Sequence, residues 1–218
     1  MDVTAIGMRF SYLEWGPSTA PPLLLLHGFT GHAASWRLLA EAIPERHVIA
    51  LDQRGHGDSD WASEYGAKPM VRDVDAVADA LGLDRFDLLG LSMGGINAIA
   101  YAGTHSSRLD RLVIIDIGPE IDRAGLTRIG AGIRQSDVFA NEDEAFAQAR
   151  AGNPIPRDEV LRERVVANLK PAEGGGLTFK WDKALRDGSA KRDDHTPEEL
   201  WSLWDAISVP TLVVRGEI

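Results

Sequence analysis

The apolar positions of this chain fall into two kinds of run. Some are short and unbroken, as strands buried on both faces require; others recur every three or four residues, as a helix with one buried face requires. Pro22–Leu26, 48–51, Phe86–Leu91 (broken only by Asp87 and Gly90) and 109–117 are of the first kind. Between them Trp36, Leu39 and Ile43 stand at helical spacing within 35–43, and Val74, Val77, Ala78 and Leu81 share one face of a helix over 71–81. A helix-compatible run over 96–101 follows the third strand. Alternation of this kind predicts a mostly parallel sheet with helices on both faces. Ahead of it, alternating and aromatic residues around Gly7 within 4–15 predict two short antiparallel strands at the sheet edge.

After Pro119 the pattern changes. Charged helical stretches at 122–135, 142–151 and 157–169 follow one another with no buried strand between them. Pro154 and Pro156 punctuate this region, Gly174, Gly175 and Gly176 form a turn, and 178–181 reads as extended. Thr196-Pro197-Glu198-Glu199 supplies an N-cap, a proline at the first helical position and acids in the first turn, opening a helix through Trp204. The apolar run 210–214 returns to the sheet. The expected organisation is a core formed by 1–119 and 207–218, with 120–206 inserted as a helical cap.

Composition narrows the function classes. With 218 residues, 44% of them hydrophobic, the chain can bury one full core. A net charge of −10 with no basic patch argues against nucleic acid or an anionic membrane as partner. The absence of cysteine excludes disulfides, thiolate metal sites and a cysteine nucleophile. No apolar run reaches the length of a membrane span and 1–10 lacks a signal-like apolar segment, so the expected location is the cytoplasm. Neither H-E-x-x-H nor G-x-x-x-x-G-K-[ST] occurs, so no metal or phosphate site is expected. The oligomeric state stays open.

The stretch that carries chemistry is Gly90-Leu91-Ser92-Met93-Gly94-Gly95, which reads as strand, sharp turn and helix. A serine on such a turn stands exposed at the carboxyl end of the strand, with small residues two before and two after it so that a strained backbone passes close to its neighbours. Ser92 is the candidate nucleophile, and the Met93 N–H at the helix start is a candidate donor to a developing oxyanion. The competing reading is a serine that only caps the helix.

Four motifs in order, His27-Gly28-Phe29, 52–59, Gly90 to Gly95 and 210–217, resemble those of the α/β-hydrolase superfamily, in its serine-nucleophile branch with a helical cap between the sixth and seventh strands. The resemblance implies a three-layer α/β/α sandwich on a mostly parallel eight-stranded sheet. This chain supplies seven of the strands, and the last strand and helix are expected beyond Ile218. It further implies a cofactor-independent serine hydrolase that cleaves a small-molecule acyl substrate, an ester or related carbonyl, through an acyl-enzyme on Ser92. The backbone N–H groups of Phe29 and Met93 would form the oxyanion hole. A serine at this position separates the chain from branches resembling dehalogenases and epoxide hydrolases, which carry aspartate there. Ester, carbon–carbon, lactone or amide hydrolysis and peracid formation all stay open. So does a reading of another class, a non-catalytic fragment or ligand-binding relic without the base.

A triad of this fold runs serine, acid, histidine along the chain. His27, His32, His47 and His56 precede Ser92, and His27 and His56 lie in glycine-rich loops where their rings are expected to bond nearby backbone. His105 falls roughly 20 Å from Ser92 at 1.5 Å per helical residue, and His195 lies in the expected cap, so neither is expected as the base. The late acid and the histidine are expected past Ile218, and the chain alone is expected to be nearly inactive. Asp116, at the end of the sixth strand, is either a substitute acid or a tie between that strand and the first turn of the cap, and the second is favoured. Asp52 and Asp58 read as turn residues. Trp181, Trp201 and Trp204 could line an acyl pocket or pack on the core.

Overall fold

The computed structural model describes residues 1–120 and 138–216. The expected helix over 122–135 and the position of Glu217 lie outside the described residues. The chain divides into two compact units, 1–121 with 190–218 and 122–189.

In the first unit the unbroken apolar runs become the centre of the sheet. Strands β1 (Asp2–Ala5), β2 (Met8–Trp15), β3 (Pro22–Leu26) and β4 (His47–Leu51) are followed by a two-residue β5 (Glu64–Tyr65), β6 (Phe86–Leu91) and β7 (Leu109–Ile115). All of these except β5 form, with the late strand β12 (Thr211–Val214), a seven-stranded sheet in the order β1-β2-β4-β3-β6-β7-β12. The pairs β1·β2 and β2·β4 are antiparallel and the rest are parallel. This is the mostly parallel sheet predicted from the alternation, in the fold class that the four-motif resemblance implies. Leu24, Leu25 and Leu26 are wholly buried, because odd and even positions face different layers: Leu24 and Leu26 meet one core cluster and Leu25 the other.

Helices cover both faces. Helix α1 (Arg37–Ala42), entered through a 3₁₀ turn at Ala33–Trp36, sits in one cluster with Leu23, Leu25, Val48 and Ala50. Helices α2 (Ala67–Ala80) and α3 (Met93–His105) bring Val74, Val77, Ala98 and Ile99 to the other. Strand β12 is exposed at every position, including Leu212, Val213 and Val214.

The second unit contains strands β8 (Val138–Phe139), β9 (Leu169–Pro171) and β10 (Leu177–Phe179), helices α4 (Glu142–Gly152) and α5 (Asp158–Ala167), and a short α6 (Lys183–Asp187). Its own small core joins Phe139, Ala145, Leu161 and Val165. The three strands form an antiparallel sheet that the charged pattern did not predict.

Residues 190–206, expected in the cap, group by contacts with the sheet unit. Strand β11 (Lys191–Arg192) pairs in parallel with β5, and helix α7 (Pro197–Asp205) packs on α3, so both belong with the sheet. The physical reason is close approach: a Cβ on Gly103 would lie 2.5 Å from the Leu203 carbonyl oxygen, so glycine alone lets the two backbones meet, and Leu200 is buried in the contact. The helix starts as its sequence requires. Thr196 Oγ1 accepts from the Glu199 N–H at 3.2 Å, and the Glu199 carboxylate accepts from the Thr196 N–H at 3.0 Å. Among the described residues no helix is long and apolar enough to cross a membrane.

Candidate active site

Ser92 joins β6 to α3 with its backbone in the left-handed region, φ 50° and ψ −113°. Such a conformation costs a non-glycine residue roughly 1–3 kcal/mol and persists only where the surroundings impose it. Two glycines let the chain turn this sharply. A Cβ on Gly90 would lie 2.2 Å from the Gly94 carbonyl oxygen, and one on Gly94 would lie 2.3 Å from the Leu26 carbonyl oxygen. The first turn of α3 therefore rests directly on the end of β3. The Ser92 N–H donates to the Ile115 carbonyl at 2.9 Å, which carries the β6·β7 ladder one residue past the strand. The Ser92 side chain makes no capping hydrogen bond to α3. That observation disfavours the helix-cap reading and leaves the half-buried hydroxyl for another task.

The loop after β3 meets this turn. A Cβ on Gly28 would stand 3.4 Å from the Ser92 Cβ, so the Gly28 backbone runs beside the serine and Phe29 follows at once. Met93 is the first residue of α3, and its N–H is among those a helix leaves without an internal partner. The structure thus brings together the loop of Phe29, Ser92 and the start of α3.

His27 orders the loop and is buried, as expected of a structural histidine. Its Nε2 accepts from the Gln53 N–H at 3.1 Å, so Nδ1 carries the proton and donates to the Gly28 carbonyl at 2.8 Å. The same carbonyl accepts from the Gly31 N–H at 2.9 Å. Across a planar trans peptide the Phe29 N–H points opposite to the Gly28 C=O, so the His27 ring fixes the direction of that N–H. Burial first, and His56 second, push His27 well below the ordinary imidazole range, which keeps the ring neutral.

Asp52 acts as the turn residue its loop suggested. Its carboxylate accepts from the Ala33 N–H at 2.6 Å and the Asp58 N–H at 2.9 Å. Ser59 donates to the Asp52 carbonyl at 2.5 Å and accepts from the Ser11 N–H at 2.8 Å, which ties the loop to β2. Beside it Arg54 and Asp73 form a buried two-pronged ion pair, with both N···O distances 2.5 Å.

The six histidines are all described, and among the described residues none hydrogen-bonds the Ser92 hydroxyl. His47 pairs with Glu14, His56 Nδ1 bonds the Arg54 carbonyl at 3.0 Å, and His105 stacks on Tyr101 at 4.6 Å. His195 faces Glu199 at 3.4 Å. Asp116 lies at the end of β7, exposed, with φ 58°, and its N–H donates to the Val214 carbonyl at 2.8 Å. The expected tie from Asp116 to the first turn of the cap falls outside the described residues.

Of the aromatics, Trp181 is buried with its ring 5.9 Å from Phe179. Trp204 packs against the core, and Trp201 is exposed and donates to Glu120 at 3.2 Å. A cleft of about 510 Å³ lined by Tyr12, Glu14, Pro22, His47, Leu81 and Arg85 lies at the amino ends of β3 and β4, away from Ser92. Among the described residues no three His, Asp or Glu side chains are grouped to hold a metal.

Sequence reasoning missed Gln53 and Asn97. The Gln53 carboxamide donates to the His27 carbonyl at 2.7 Å and accepts from Asn97 Nδ2 at 2.7 Å, with all three residues buried. The signal was an amide at Asn97 inside the otherwise apolar run Ile96 to Ala100.

Residues 21–153 match the model of the alpha/beta hydrolase fold family. The chain is 32% identical over 228 residues to a 3-hydroxybutyrate-oligomer hydrolase of Cupriavidus necator, covering 95% of this chain and 76% of that one. It superposes on a solved E-2-(acetamidomethylene)succinate hydrolase with a TM-score of 0.86 at 26% identity, covering 100% of this chain and 80% of the other. An esterase of Mycobacterium tuberculosis gives a TM-score of 0.78 at 26% identity, with 99% and 72% covered.

Proposed function

Because the chain belongs to the α/β-hydrolase fold family, we propose that it is a serine hydrolase that cleaves a small carboxylic ester or related carbonyl with Ser92 as nucleophile. The observation that carries this reading is the left-handed turn at Ser92 with the Gly28 backbone at its side. Its relatives named above are hydrolases and an esterase, which supports hydrolysis as the reaction class.

In this reading the Ser92 Oγ forms a bond to the substrate carbonyl carbon while its proton passes to a general base. The carbonyl oxygen takes the negative charge and accepts from the N–H groups of Phe29 and Met93, where donors held in place before the reaction stabilise charge that develops only in the transition state. Collapse of the tetrahedral adduct expels the alcohol with a proton and leaves an acyl-serine, which water cleaves by the same steps. None of the six histidines stands ready as the base in this geometry. The second reading left open by the sequence is a ligand-binding relic of the same fold that keeps the turn and lacks the base.

A panel of p-nitrophenyl esters of graded acyl length, given to the protein expressed from its complete gene, separates the two. The hydrolase reading expects turnover that Ser92→Ala abolishes. Saturable ester binding without turnover in the parent supports the relic.

A further inference from the structure

We infer that Gln53 and Asn97 are positioning residues that hold the Phe29 N–H in its oxyanion-binding direction. This inference rests on the proposed role of Ser92 and its oxyanion donors.

Two carboxamides form an unbroken chain from the helix behind the nucleophile to the loop in front of it. Asn97 lies on α3, five residues after Ser92, and its Nδ2 donates to Gln53 Oε1 at 2.7 Å. That contact leaves the Gln53 amino group turned the other way, and it donates to the His27 carbonyl at 2.7 Å. The Gln53 backbone N–H holds His27 Nε2 at 3.1 Å. Gln53 therefore grips His27 twice, at its ring and at its carbonyl. The ring in turn grips the Gly28 carbonyl, the other end of the peptide whose N–H is that of Phe29.

The direction of the chain is not arbitrary. A carboxamide has one donor end and one acceptor end, and a flipped Gln53 would set its oxygen against the His27 carbonyl oxygen. Asn97 prevents the flip by donating to the oxygen. Its Nδ2 also contacts Met70 Sδ at 3.2 Å, so both amino hydrogens have partners. Gln53 and Asn97 are 2% and 1% exposed, so water cannot replace a lost partner. Neither side chain touches the place of the reacting atoms. Both act through His27, and a shift of about 1 Å in a positioned group costs on the order of 100-fold in rate.

The test uses the protein expressed from its complete gene, with Gln53→Met, Gln53→Glu, Asn97→Leu and Asn97→Asp. The readouts are kcat and KM for a short acyl ester, affinity for an alkyl boronic acid as a tetrahedral mimic, and thermal unfolding. In variants that unfold cooperatively, kcat should fall tenfold to a hundredfold with KM within about twofold, and boronate affinity should fall in parallel. Asn97→Asp presents only acceptors to Gln53 and should match or exceed Asn97→Leu in effect. Folded variants with parental kcat and boronate affinity would overturn the inference, as would losses confined to KM. If all four fail to fold, the residues serve the fold alone and the inference is overturned. Ser92→Ala is the separate control. Retained turnover there shows that the proposed nucleophile is wrong and takes this inference with it, whereas lost turnover there and no effect at Gln53 and Asn97 removes only the positioning role.

Discussion

The Ser92 amide donates to the Ile115 carbonyl at 2.9 Å, and the register pairs Leu91 with Ile115, so Ser92 and Asp116 stand side by side where β6 and β7 end. Both have left-handed backbones, φ 50° and 58°. Ser92 is half-buried beside the Gly28 loop, and Asp116 is exposed. A carboxylate that orients a catalytic histidine is buried and bonded to it, and among the described residues Asp116 has no such bond.

The expected outcome for Asp116→Asn is turnover within about tenfold of the parent, about 1.4 kcal/mol, in the complete gene product. Asparagine tolerates the same backbone conformation, so the substitution tests charge alone. A loss near the ~10⁴ seen when a triad carboxylate is neutralised would assign the acid to Asp116.

Gly90→Ala places a methyl group where a backbone oxygen stands at 2.2 Å, and no side chain can move aside to admit it. The substitution should cost about 1–3 kcal/mol of stability, the range for overpacking. Denaturant unfolding of the two proteins measures it, and an unchanged midpoint would show that the turn relaxes without cost.

Arg54 and Asp73 carry side chains only 8% and 3% exposed. Removing one partner leaves an uncompensated buried charge, so Arg54→Met should lose about 3–5 kcal/mol, while Arg54→Met with Asp73→Leu should recover most of that loss. A double variant as unstable as the single one would contradict the argument.

His27 links stability to pH. Its native pKa lies well below 6.5, so between the two values the unfolded chain binds a proton that the native protein does not. The contribution of His27 is fully present above about pH 6.5 and is lost as pH falls from there through the native pKa. Urea unfolding of the parent and of His27→Gln at pH 7.5, 6.5 and 5.5 isolates this term. The parent should lose more stability than the variant between 6.5 and 5.5, and parallel curves would show that His27 is not held neutral.

Much of this was legible in the chain because it is local. The glycines around Ser92 announce a turn that only small residues permit, and the Thr196 to Glu199 box announces the start of α7. The seven-stranded sheet followed from runs such as Leu23 to Leu26, too apolar to face water on either side. The illegible parts depend on distant partners. Gln53 and Asn97 are 44 residues apart and meet only once the sheet is built. Strands of two or three residues, such as β8 and β11, are too short to show a period. Gly103, in the last turn of α3, gave no sign that it admits the backbone of Leu203.

The most direct test of the account is whether Ser92 is the residue that becomes covalently modified. The protein from the complete gene is treated with a fluorophosphonate, digested, and the adduct located by mass spectrometry, with Ser92→Ala in parallel. The predicted result is a single phosphonylated serine in the peptide that contains Ser92, and no adduct in the variant. An adduct at another serine, or equal labelling of Ser92→Ala, would contradict the central claim.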